Sequence, residues 1–375
     1  MSIRQMFLGS IVKPGFNPLA AQTPTLLYNL FSWGAGANGR LGLGNTTNYS
    51  SPKQVGSLTD WITVVAGYNS SAAIKSDGTL WTWGANGQGQ LGLGPVAEQS
   101  SPTQVGALTN WLKITVQYRS VLSIKTDGTL WAWGQNSYGQ LGTSNTSTYD
   151  SPVQVGALTN WSNVSLGYNF ALATKTDGTL WSWGRSVNGA LGLSNTTSYS
   201  SPKQVGALTN WLKVSGGYRF SMAIKTDGTV WAWGQGTLGQ LGQGTVTSYS
   251  SPKQVGALTN WLYISAGLYF STSIKTDGTL WTWGYNALGN LGLGNTTNYS
   301  SPKQVGALTT WSKLSAYSDQ MGAIKTDGTL WVWGYNNSGQ LGLGDLTNRS
   351  SPVQVGASTT WLNVSIGTYH ALALG

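Results

Sequence analysis

The chain contains no cysteine. Disulfides, thiolate metal sites and cysteine nucleophiles are therefore excluded, and the redox compartment is left open. Histidine and glutamate occur once each, as His370 and Glu98. No Ser-His-Asp grouping can be assembled other than through His370, so the expectation is a protein without catalytic residues, with His370 a structural hydrogen-bonder. Charged residues make up 8% of the chain, against about a quarter in ordinary soluble proteins. The net charge of +9 comes from scattered Lys and Arg, and no basic run marks a nucleic-acid groove. No apolar run approaches the roughly twenty residues that cross a bilayer, so no membrane partner is expected. The short apolar patch Met6 to Leu8 is interrupted by Gly9-Ser10 and makes a poor signal peptide, although Ala20-Ala21-Gln22 offers a weak cleavage site.

What the chain has instead is a repeat. The run Ile-Lys-Thr-Asp-Gly-Thr-Leu-Trp-Thr-Trp-Gly, from Ile274 to Gly284, returns with small changes every fifty residues. An Asp-Gly pair between apolar runs is a strong hairpin signal, and the expectation is a type I′ turn. Trp-Gly closes the hairpin at Trp83, Trp133, Trp183, Trp233, Trp283 and Trp333, and Phe31-Ser32-Trp33-Gly34 makes a seventh copy. One period reads as four short strands: Leu80 to Gly84, Pro102 to Val105, Trp111 to Val116 and Val121 to Lys125. That is the content of one propeller blade, and seven blades lie within the usual range. A fixed period also favours one shared core over several domains.

The ends support closure. Leu30 to Gly375 falls four residues short of seven periods, and the missing residues correspond to the turn Thr326-Asp327-Gly328-Thr329. Ala371 to Leu374 can then pair with Leu30 to Trp33 and rebuild the seventh hairpin, as a closed ring requires. The expectation is an all-β, closed seven-bladed propeller over residues 27–375, its last blade shared by both ends of the chain. Residues 1–26 match no part of the repeat and contain Pro14, Pro18 and Pro24, so they read as an extended N-terminal arm. Its apolar residues Met6, Phe7, Leu8, Ile11, Val12 and Phe16 are candidates for docking on a partner or on the arm's own domain.

The run Leu-Trp-x-Trp-Gly-x-Asn-x-x-Gly-Gln-Leu-Gly, whole at Leu130 to Gly142 and Leu330 to Gly342, resembles the signature of the regulator of chromosome condensation repeat family. The resemblance implies a seven-bladed propeller over Leu30 to Gly375. WD-repeat and kelch propellers are disfavoured, because the Trp-Asp and Gly-His pairs of the former and the paired glycines of the latter are missing. The chain departs from the family pattern too. A recurrent His of the family is matched only by His370, no β-wedge is inserted, and the Gly-Trp-Arg-His-Thr motif of the similar plant ultraviolet-B photoreceptor is absent.

No cofactor or metal is expected. The Asp-Gly turns lack the alternating acids of a calcium loop, and the Gly-x-Asn-x-x-Gly loops lack a phosphate loop's lysine and helix. The copies differ most before the fourth strand and after Trp-Gly, and hairpin pairing places both segments on one rim, opposite the Asp-Gly tips. The candidate binding rim comprises Arg40, Tyr68, Arg119, Tyr138, Arg185, Arg219, Tyr285 and Tyr335, residue types that make good contact anchors. The uncharged polar surface and the missing export signal lead to an expectation of a binding or structural module of a virion, such as a phage head decoration or tail protein. In that reading the arm docks on neighbouring subunits. The alternatives are an intracellular, exchange-factor-like interaction propeller and a secreted adhesin binding a surface glycan through Tyr285 and Tyr335.

Overall fold

The computed structural model describes residues 28–375. The arm residues Met6, Phe7, Leu8, Ile11, Val12 and Phe16 lie outside the described residues. Seven four-stranded antiparallel sheets follow one another around a ring. A representative blade runs from an inner strand, Trp61–Ala66, through Ser70–Lys75 and Leu80–Gly84 to an outer strand, Gln99–Gln104. The Trp-led strands are innermost, since each meets its counterparts from the neighbouring blades. The outer strand begins earlier than the Pro102 expected from sequence, because Gly84 pairs with Gln99 across a bulge before Thr82 pairs with Thr103. Proline is tolerated there because the strand's far edge has no ladder partner among the described residues.

The seventh blade is closed as the ends of the sequence imply. Its outer strands are Tyr49–Gln54 and Leu30–Gly34, its inner strands His370–Leu374 and Asn363–Ile366. Leu30 pairs with Leu374, Ser32 with Leu372 and Gly34 with His370. Two backbone bonds between Asn29 and Gly375, at 3.0 and 3.1 Å, extend the ladder beyond the strands.

Between blades the chain spends its tryptophan. Each of seven apolar clusters fills one blade junction. At every junction the Trp of Trp-Gly donates its indole N–H to a carbonyl of the preceding blade, from Trp83 to Arg40 at 2.9 Å through to the ring-closing Trp33 to Gln340 at 2.9 Å. The invariant Leu-Gly of the repeat exists for this contact. A Cβ on Gly142 would stand 2.7 Å from Trp183 Nε1, and the residue's φ of +77° favours glycine in any case.

The Asp-Gly hairpins are not type I′ turns. Only the glycine has positive φ, as at Gly78 with +78°. Ile74 pairs with Leu80, and bonds from Lys75 N to Thr79 O and Gly78 N to Lys75 O, both 3.0 Å, enclose three residues rather than two. This is a type I turn followed by a left-handed glycine. Asp77 Oδ1 accepts from Thr79 N at 2.9 Å and Thr79 Oγ1 at 2.6 Å, and Thr79 Oγ1 accepts from the indole of Trp81 at 2.9 Å. The lysine before each turn lies between two indoles, with Lys125 Nζ 4.7 and 3.6 Å from the rings of Trp111 and Trp131. Six of the positive charges are thereby absorbed into the blades.

Candidate functional site

The face opposite the Asp-Gly tips is assembled by the register of the second and third strands. Ser70 faces Gly84, Ser120 faces Gly134 and Gln320 faces Gly334. The two most variable segments of each repeat therefore meet, and backbone bonds fasten them: Gln135 N to Arg119 O at 2.8 Å, Arg185 N to Asn169 O at 2.9 Å, Tyr285 N to Tyr269 O at 3.1 Å.

Tyrosines organise this face. Rings follow one another from blade to blade: Tyr369 to Tyr68 at 5.5 Å between centroids, Tyr68 to Tyr118 at 5.2 Å, Tyr118 to Tyr168 at 4.9 Å, Tyr168 to Tyr218 at 4.6 Å and Tyr218 to Tyr269 at 5.2 Å. All six are half-buried. Tyr317, at the end of the inner strand Trp311–Tyr317, reaches across the ring, and its hydroxyl accepts the backbone N–H of Tyr118 at 3.2 Å. Burial pushes the Tyr317 phenol well above its ordinary value, and burial with the neighbouring tyrosines pushes Tyr168 up to about 12. These phenols stay neutral at physiological pH and act as hydrogen-bonding groups.

Tyr118 holds a φ of +53° and Ser318 one of +49°. For a bulky residue such as Tyr118 the left-handed region costs about 1–2 kcal/mol. The compensation is visible in the bond to Tyr317, which the left-handed turn directs inward, and strain of this kind clusters at functional sites.

The residues selected from sequence divide by environment. Arg119, Arg185 and Arg219 are half-buried and lie over tyrosine rings: Arg119 over Tyr118 at 5.1 Å, Arg185 over Tyr138 at 4.5 Å and Arg219 over Tyr218 at 4.8 Å. Tyr138 is 39% exposed, and Tyr68, Tyr285 and Tyr335 are half-buried on the same face. Arg40 is only 5% exposed. Its Nε donates to Ala37 O at 2.7 Å, its guanidinium lies 5.5 Å from the Tyr369 ring, and burial lowers its pKa against the opposing pull of Tyr369 and Tyr68. Arg40 is thus part of the blade junction rather than of the outer surface. Sequence reasoning did not select Tyr118, Tyr168, Tyr218, Tyr269, Tyr317 or Tyr369. The signal was there: Tyr68, Tyr118, Tyr168 and Tyr218 recur at the same place, and Tyr269, Tyr317 and Tyr369 stand one residue from it, a shift that conceals only these last three.

The lone histidine is structural. His370 is completely buried and its Nε2 lies 2.8 Å from Ser71 Oγ, which donates its own proton to Arg40 O at 2.8 Å. A carbonyl can only accept, so the shared hydroxyl accepts from His370 and Nε2 carries the ring proton. Burial, and then the nearby Arg40 charge, hold the imidazole neutral. Asp319 is the opposite case on the same face: burial raises its pKa, Ser318 Oγ approaches at a long 3.4 Å, and Oδ1 has no partner among the described residues.

Comparisons with known proteins agree with this architecture. The RCC1-like domain model matches residues 29–374. No curated protein matches the chain in sequence. Among solved structures, Prp20p from Saccharomyces cerevisiae, studied for its binding to Gsp1p and histones, superposes with a TM-score of 0.84 at 19% identity, covering 93% of this chain and 91% of that one. Human WBSCR16 gives 0.83 at 21% identity over 93% of this chain and 98% of that one. Yeast RCC1 (Prp20) in complex with Kap60 gives 0.82 at 18% identity over 100% of this chain and 96% of the other. Identities this low establish a common fold, whereas the family model spans the propeller from its first strand to its last. The chain belongs to the RCC1-like domain family.

Proposed function

We propose that this chain is a non-enzymatic protein-interaction propeller that engages a partner protein through its tyrosine and arginine face. The observation that carries the reading is the arc of six tyrosines with centroid spacings of 4.6 to 5.5 Å, flanked by Arg119, Arg185 and Arg219. Tyrosine and arginine are the side chains that most often carry binding energy at interfaces. Rings already leaning on one another lose little further rotamer freedom on binding. The family relationship favours the same reading, since Prp20p binds Gsp1p and histones and yeast RCC1 binds Kap60. We therefore prefer the intracellular interaction propeller over the virion module and the glycan-binding adhesin, for which neither fold nor family adds support.

The absence of an inserted wedge among the described residues favours binding without nucleotide exchange. Affinity purification from cells of the source organism, comparing wild type with the variant R119A/Y138A/R185A, tests the proposal. Proteins recovered with the wild type and lost with the folded variant are the expected outcome. Identical recovery would refute the assignment of the face.

A further inference from the structure

The inner strands wall the central channel, and their sequences contain no Asp or Glu beyond Trp61, Trp111 and their equivalents. At the third position of three alternate inner strands stand Lys113, Lys213 and Lys313. None has a carboxylate partner among the described residues. Each reaches sideways to a carbonyl of the next blade: Lys113 Nζ to Ser162 O at 2.5 Å, Lys213 Nζ to Leu262 O at 3.1 Å and Lys313 Nζ to Leu362 O. Those carbonyls lie one residue nearer the Asp-Gly mouth than the lysines' own level, so the three ammonium groups form a collar just inside that mouth. All three pKa values are lowered by burial, and Lys213 is lowered further by the Lys113 charge. No carboxylate among the described residues stands beside the collar, although Lys213 also lies over the Tyr263 ring at 4.1 Å and Lys113 also donates to Asn163 Oδ1 at 2.9 Å.

Two residues deeper on the inner strands, roughly 6.6 Å on at strand rise, is a layer of serines, Ser215 and Ser315 on lysine-bearing strands and the others on strands between them, with Thr115 in that place on the Lys113 strand. Ser165, Ser215, Ser315 and Ser365 each accept a backbone N–H from the next inner strand, at 3.1, 2.9, 3.0 and 2.9 Å. Their own hydroxyl protons have no acceptor among the described residues, whereas the fifth serine of the layer, Ser265, accepts from Ala316 N at 3.0 Å and donates to Ala316 O at 3.4 Å. Beyond the serines Tyr317 crosses the ring to Tyr118 and narrows the far end. Three ammonium groups thus stand toward the Asp-Gly end of the inner strands and spare hydroxyl donors lie two residues deeper. Three ammonium groups and four unengaged hydroxyl protons, with no carboxylate on the inner strands, suit an oxyanion long enough to touch both layers.

We infer that the central channel binds a linear oligophosphate, its terminal phosphate among the serine hydroxyls and the remaining phosphates within the lysine collar. The site lies apart from the tyrosine face and does not depend on that face binding a protein. Isothermal titration calorimetry with sodium tripolyphosphate tests it. The expected result is one saturable site on the wild type, weakened at least about tenfold in K113Q/K213Q/K313Q because charge-assisted bonds to phosphate are lost. Glutamine keeps a donor for the neighbouring carbonyl, and circular dichroism checks the fold; if the triple variant does not fold, K213Q alone is read for a weaker affinity of the same site. The control K203Q/K253Q/K303Q removes equal charge from exposed outer-strand lysines and is expected to bind as wild type. No saturable binding by the wild type, or equal loss in the control, would overturn the inference.

Discussion

If the ring is closed by its two ends, a core residue of the closing strand must weigh as much as its equivalent in an uninterrupted blade. Leu372 and Leu172 make the comparison clean. Both are completely buried, and they occupy the same register, Leu372 opposite Ser32 and Leu172 opposite Ser182. Those serines in turn make the same bond, Ser32 Oγ to Leu41 O and Ser182 Oγ to Leu191 O, both at 2.7 Å. Leu372→Ala and Leu172→Ala each remove three carbons at about 0.8 kcal/mol apiece. A cavity term of about 24 cal/mol per Å³ of unrelaxed void adds to this, so each is expected to cost roughly 2.5–5 kcal/mol. Urea unfolding followed by tryptophan fluorescence reads both variants on the same scale. Equal shifts support closure. A cost below about 1 kcal/mol for Leu372→Ala beside a full cost for Leu172→Ala would mean a loosely attached terminal strand, and would refute the closed ring.

Other consequences follow from the same contacts. Tyr317→Phe removes the acceptor of the Tyr118 amide and is expected to destabilise by about 1–3 kcal/mol, with faster hydrogen exchange at that amide; unchanged exchange would mean the bond is not formed in solution. Gly142→Ala forces a Cβ against Trp183 Nε1 at a φ of +77°, and a cost above about 2 kcal/mol is expected in thermal unfolding. The turn carboxylates Asp77, Asp127, Asp177, Asp227 and Asp277 are held below their ordinary pKa, chiefly by the hydroxyl of the Thr two residues on. Their stabilisation is present above the unfolded carboxylate value of about 3.9 and lost as pH falls through the lower folded values. The urea midpoint is thus expected to fall with acid below about pH 4, and Asp127→Asn to lessen that fall. Asp319 has the opposite sign: raised by burial, it disfavours folding once ionised, so Asp319→Asn is expected to raise Tm at pH 7 and leave it unchanged at pH 3. A lower Tm at pH 7 would show that the carboxylate has a stabilising partner.

Much of the architecture was legible because every copy repeats the same local instructions. Apolar runs, the Asp-Gly turn and the Trp-Gly closing strand recur at a constant interval, and the truncated ends at Leu30 and Gly375 complement each other. The turn type was misread because dipeptide chemistry alone does not count loop residues. The pairing of Ile74 with Leu80 does, and it leaves room for an Asp-Thr-Trp chain of hydrogen bonds. The face was legible as a place, because hairpin register brings the variable segments together. Its composition was less so. Arg40 reads like Arg119 in sequence, yet packs beneath Tyr369 because its loop crosses to the next blade, where its carbonyl receives Trp83 and Ser71. Tyr317 shows the limit most clearly, since its partner Tyr118 is four blades away around the ring in one direction, a proximity that only closure creates.

The most direct test of the central claim is quantitative recovery of partner proteins on immobilised propeller, wild type beside R119A/Y138A/R185A and beside the outer-strand control K203A/K303A. The account predicts a specific protein retained by wild type and control and lost, by more than about tenfold, when the tyrosine and arginine anchors are removed. Retention of the same proteins by all three would contradict it.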